Sequence, residues 1–94
     1  MKYNENELYE IVRDGIVEVN YNNKNRVSRE EISRQADISR YIDSLSYLDL
    51  QMYLEDKALE KYKTRIDLSD LDPGKVKTVD DLVRALSEKL GSKK

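Results

Sequence analysis

Histidine and cysteine are both missing from the 94 residues. Without an imidazole the chain has no general base poised near neutral pH, no Ser–His nucleophile pair and no His-ligated metal. Without a thiol it has no disulfide, no thiolate nucleophile and no zinc–cysteine site, and nothing argues for an oxidising compartment. Trp and Phe are absent too, so all seven aromatic residues are Tyr. Three Gly and one Pro are too few for a turn-dense all-β domain. No aliphatic run exceeds two residues, which excludes a transmembrane helix or a signal-peptide core and leaves the cytoplasm as the expected location. Neither sign of charge dominates: 17 basic residues against 19 acidic give a net charge of −2. A nucleic-acid binder would need a clear basic excess. Together these absences argue against an enzyme.

What is present is a set of helical stripes. Eleven Leu, six Ile and seven Val supply one thin core, as expected of a single domain over 1–94. Leu8, Ile11, Val12, Ile16 and Val19 recur at helical spacing and predict a first helix at about 5–19, capped by Asn4 or Asn6, with Gly15 as an unfavourable interior residue. Residues 20–42 read as a long connection, with a short helical turn expected at 29–35 from the Ser28-Arg29-Glu30-Glu31 capping pattern. Leu45, Leu48, Met52, Leu59 and Tyr62 form one stripe of a second helix at 44–62, broadened by Leu54 and Ala58 and capped by Asp43 or Ser44. Five acids (Asp43, Asp49, Glu55, Asp56, Glu60) and two lysines make 43–62 net negative. Asp72-Pro73-Gly74 signals a turn, and a short helix is expected at 74–77. Thr78 caps a last helix at 79–90 with Val79, Leu82, Val83, Leu86 and Leu90 inward. Gly91 ends it, and 91–94 is a frayed tail. The expected fold is all-α: a small antiparallel bundle of three main helices plus a short one. Tyr47 and Tyr53 are expected to lie partly exposed on the second helix.

The chemistry centres on Asp43-Ser44-Leu45, where the long connection becomes an amphipathic helix. A phosphodiester on Ser44 would sit at the positive end of a helix, where backbone N–H groups and the dipole favour an anion. The surrounding pattern, DSLSYLDLQMYLE at 43–55 and IDLSDLDPGKVKTVDDLVRAL at 66–86, resembles the acyl carrier protein family, including its peptidyl and D-alanyl carrier relatives. The resemblance spans the chain if 5–19 is the family's first helix. It implies a four-helix fold with 4′-phosphopantetheine, donated by a separate magnesium-dependent phosphopantetheinyl transferase, on Ser44 between Asp43 and Leu45.

The same resemblance implies that Leu48, Asp49, Met52, Glu55 and Asp56 form the face read by acyl-transferring or synthase enzymes with basic docking patches. It further implies a monomeric, stand-alone carrier of acyl thioesters in a fatty-acid, lipid or polyketide-type pathway, itself not an enzyme and binding no metal. Such a carrier has a soft interior, for which the candidates are Met52, Leu54, Leu59, Ile66, Leu68, Leu71, Val76, Val79, Leu82, Val83 and Leu86. Ile42 sits next to Asp43, where the family often has Gly. Lys57, Lys61, Lys63 and Arg65 dilute the acidity, which points to a specialised carrier. Two alternatives stand beside this: an aminoacyl or D-alanyl carrier, and a helical interaction module that is never modified.

Overall fold

Three helices, each begun by a side chain that satisfies its first N–H groups, make the frame. The computed structural model describes residues 4–20, 27–71 and 74–91, and of Ser44 the backbone alone. Helix α1 covers Glu5–Asn20. Asn4 is its cap: its carboxamide oxygen accepts from the Asn6 N–H at 2.9 Å and from Glu7 at 3.4 Å, and Glu5 and Glu7 face the positive end of the dipole. Helix α2 covers Ser44–Tyr62. Helix α3 covers Val79–Gly91. There Thr78 and Asp81 cap reciprocally, Thr78 Oγ1 accepting from the Asp81 N–H at 3.1 Å and the Asp81 carboxylate from the Thr78 N–H at 3.2 Å.

The core lies around α1, which packs against both other helices. Leu8, Val12 and Ile16 of α1 are fully buried, as are Leu50 and Leu54 of α2 and Val79, Leu82, Val83 and Leu90 of α3. Every residue of the expected α3 stripe is inside. In α1 the inward face is Leu8, Ile11, Val12, Gly15, Ile16 and Asn20, so Val19, expected inside, is only half-buried. Asn20 can take the last inward position because both ends of its amide are bonded, the nitrogen donating to the Tyr41 carbonyl at 2.5 Å and the oxygen accepting from the Val27 N–H at 3.0 Å.

The connection between α1 and α2 is less open than its composition implies. It holds two 3₁₀ turns, Arg29–Glu31 and Ile38–Arg40. Ile32, Ile38, Tyr41 and Ile42 are buried from it. The Glu31 carboxylate accepts from both the N–H and the hydroxyl of Ser28. Asn22, Asn23 and their neighbours in 21–26 lie outside the described residues.

The short helix expected at 74–77 does not form. Residues 74 and 75 are a turn, and the chain beyond them runs extended beside 34–38. The Ile38 N–H donates to the Lys77 carbonyl at 2.8 Å, Val79 to Ala36 at 3.0 Å and Asp80 to Arg34 at 2.7 Å, around an isolated antiparallel bridge between Asp37 and Thr78. The Thr78 N–H, which would close a helix at 74–77, instead donates to the Asp81 carboxylate at 3.2 Å, as does the Lys77 N–H at 3.2 Å. Asp72 and Pro73 of the expected turn, and the tail from 92 to 94, lie outside the described residues. Among the described residues the fold is all-helical, with three helices and no strand, and no helix is long and apolar enough to cross a membrane.

Candidate functional site

Ser44 is the first residue of α2; its side chain lies outside the described residues. Asp43 before it is the N-cap, its carboxylate accepting from the Ser46 N–H at 2.8 Å. That bond, with further help from the Ser46 side chain, holds the Asp43 carboxyl below its ordinary range. The carboxylate is therefore ionised and tied to the helix start.

Beside this start opens a cleft of about 650 Å³, a size suited to a small ligand. Its walls are apolar: Ile38 from the second 3₁₀ turn, Ile42 just after that turn, Leu45 and Leu48 from α2, and Val76 from the extended segment. Asp37, Ser39, Asp43 and Lys77 add polar groups, and Tyr47 completes the lining. The backbone pairing of 36–38 with 77–79 is what brings Val76 and Lys77 to the first turn of α2.

Tyr47 is a correction to the expectation from sequence. It is only 8% exposed, not a surface tyrosine. Burial pushes its phenol above the ordinary value. Gln51 lies near enough to ease that rise, but its amide donates to the Leu68 carbonyl at 3.0 Å. Among the described residues the Tyr47 hydroxyl has no hydrogen-bond partner with acceptable geometry.

The second correction concerns α2 as a whole. The stripe of Leu45, Leu48, Met52 and Leu59 faces outward, with 76%, 58%, 62% and 43% exposure. The inward face is Tyr47, Leu50, Gln51, Leu54 and Ala58. Met52 and Leu59 are thus not part of an interior; Leu54, Ile66, Leu68, Val79, Leu82, Val83 and Leu86 are buried, and Leu71 and Val76 are partly so. Asp49 and Asp56 are exposed alongside the outward stripe. Glu55 is half-buried and serves the fold. Its carboxylate accepts from the Leu68 N–H at 2.8 Å, which fixes the segment after α2. The structure therefore brings Asp43, Leu45 and Leu48 to one cleft and leaves Asp49, Met52 and Asp56 along the helix beyond it. Sequence reasoning missed Ile38, Ile42 and Lys77 as neighbours of this site, because the pairing that delivers them joins segments distant in the chain and leaves no local pattern.

Comparison with protein-family models, with characterised proteins and with solved structures finds no match.

Proposed function

We propose that this chain is a stand-alone carrier protein that holds acyl groups as thioesters on 4′-phosphopantetheine attached to Ser44. The observation that carries this reading is the place of Ser44: the first residue of a 19-residue helix, flanked on both sides by residues that line an apolar cleft. The N-terminal end of α2 suits a phosphodiester, Lys77 is the cation lining the cleft, and the apolar walls suit the arm's cargo. These residues fit the group. When bound, it supplies the thiol that this chain lacks. The short helix that the family resemblance implies at 74–77 is absent, a turn standing at 74 and 75. Its partners would be a phosphopantetheinyl transferase and acyl-transferring enzymes with basic patches, met by the outward stripe of α2 with Asp49 and Asp56 beside it. Charge steering suits a monomeric cytoplasmic shuttle that docks briefly.

The test is intact mass after incubation with coenzyme A, magnesium and a broad-specificity phosphopantetheinyl transferase. The parent gains one phosphopantetheine and Ser44→Ala gains none. No gain with several transferases would remove the carrier reading. One observation favours a second reading, an unmodified helical interaction module: four large apolar side chains stand exposed in a row on α2, an arrangement that fits a partner groove. Such a module would keep its partner when Ser44 is replaced by Ala.

A further inference from the structure

Apolar side chains scattered singly over a surface need no partner, but a continuous row of them marks one. On α2 the exposed row is Leu45, Leu48, Met52 and Leu59, with spacings of 3, 4 and 7 residues. These are the a, d, a and next a positions of a heptad, the seam one helix offers to another. The seam is roughly 21 Å long at 1.5 Å per residue. Its missing d position is Glu55, whose carboxylate is drawn aside by the Leu68 N–H. The two flanks of the seam differ. On one stand Asp49 and Asp56, a heptad apart, both exposed and in no ion pair among the described residues. On the other the equivalent positions are Gln51 and Ala58, both buried. At its first turn the seam runs into the cleft, since Leu45 and Leu48 also line that cleft beside Ile38, Ile42 and Val76.

We propose that α2 pairs with a single amphipathic helix of a partner protein. That helix is apolar at a and d over two heptads, carries Lys or Arg on the one flank that meets Asp49 and Asp56, and seats a large apolar side chain in the cleft. A second copy of this chain laid antiparallel would face those two acids with its own, so charge complementarity selects a basic partner. The inference deepens the interaction-module reading and rests on it only in that α2 meets a protein; it needs no modification of Ser44.

The test uses the full chain, with Ser44 unmodified, and four synthetic helices about 21 residues long, three heptads with Leu at a and d. One carries Lys at e, one Lys at g, one Glu at both, and the fourth is the first in scrambled order. Binding is followed by NMR shifts of the methyl groups of Leu45, Leu48, Met52, Leu59 and Val76. One of the two Lys helices should bind about tenfold tighter, or more, than the Glu and scrambled helices at low salt, and tighter than the other Lys helix, because only one flank of α2 is charged. Asp49→Lys with Asp56→Lys should reverse the order in favour of Glu. Met52→Glu, at an exposed position, should weaken the preferred helix about tenfold, as loss of a central apolar contact does, with melting unchanged. The proposal is overturned if the scrambled helix binds as tightly, if the order survives charge reversal, or if no helix shifts these methyl groups. It is equally overturned if the chain sediments as a dimer that Met52→Glu dissociates, since a second copy then covers the seam. Shifts confined to another surface would sink this inference and leave the interaction-module reading standing, while the carrier reading is decided apart, by mass gain on Ser44.

Discussion

At the scale of single residues, three carboxylates do the same work at three helix starts. Asp43 accepts from Ser46, Glu31 from Ser28 and Asp81 from Thr78, and in each case the backbone N–H is the main reason the carboxyl lies below its ordinary value. A depressed folded-state pKa contributes stability that is present above the unfolded value and is lost as pH falls through the folded one. The melting temperature should therefore hold level above about pH 5 and fall from about pH 4 downward, the range where free carboxyls titrate. In urea melts against pH, Asp43→Asn combined with Asp81→Asn should flatten that acid limb, and an unchanged limb would refute the assignment. Lys63 makes the opposite case, a residue under strain. It ends α2 with φ of 57°, in the left-handed region, while its N–H donates to the Leu59 carbonyl at 3.0 Å. Glycine adopts that conformation without a Cβ penalty. Lys63→Gly should raise stability by about 0.5–1 kcal/mol, read as a higher urea midpoint with unchanged slope.

At the scale of elements, the crossing of α1 and α2 depends on a residue that looks like a defect. Gly15 costs helix propensity, about 1 kcal/mol against Ala, yet a Cβ there would stand 2.8 Å from both Leu50 Cδ1 and Tyr53 Cδ1. Leu50 is fully buried and the Tyr53 atom belongs to a rigid ring, so neither can yield freely. Gly15→Ala should thus destabilise by about 1–2 kcal/mol, the overpacking cost exceeding the propensity gain; a stabilised variant would mean the helices part easily. The reason for this glycine was invisible in the sequence, because close approach is a property of two elements together. The same limit explains α2. Its periodicity shows a helix, but Leu45, Leu48, Met52 and Leu59 on one side compete with Leu50, Leu54 and Ala58 on the other, and period alone cannot say which stripe turns inward. In α3 the stripe of Val79, Leu82, Val83, Leu86 and Leu90 has no rival, and the Thr78–Asp81 cap agrees with it, so it read correctly from end to end. The cap of α2 was legible to within one residue, Asp43 or Ser44, being a local bond. The cleft was not, since Val76 and Lys77 reach it only through backbone pairing with 36–38.

At the scale of the whole molecule, charge and apolar surface are sorted along one helix. The chain's net charge of −2 hides a negative α2 whose outward leucines and methionine have Asp49 and Asp56 beside them. Two copies of that face would bring like charges together, which disfavours self-association through it and favours a partner with a basic rim. Long-range attraction of this kind acts on the rate of encounter and is screened by salt, with a Debye length of about 8 Å near physiological ionic strength. Asp49→Lys with Asp56→Lys leaves Asp43 and Glu55 in their hydrogen bonds and alters no buried residue. Melting should therefore be unchanged within about 0.5 kcal/mol, as for exposed surface substitutions. Phosphopantetheine loading by a transferase should slow roughly tenfold or more at low salt, and the gap between parent and variant should close as salt rises. A gap that persists in high salt would place these carboxylates in direct contact with the transferase instead of in its approach field, and no gap at low salt would move the docking face off α2.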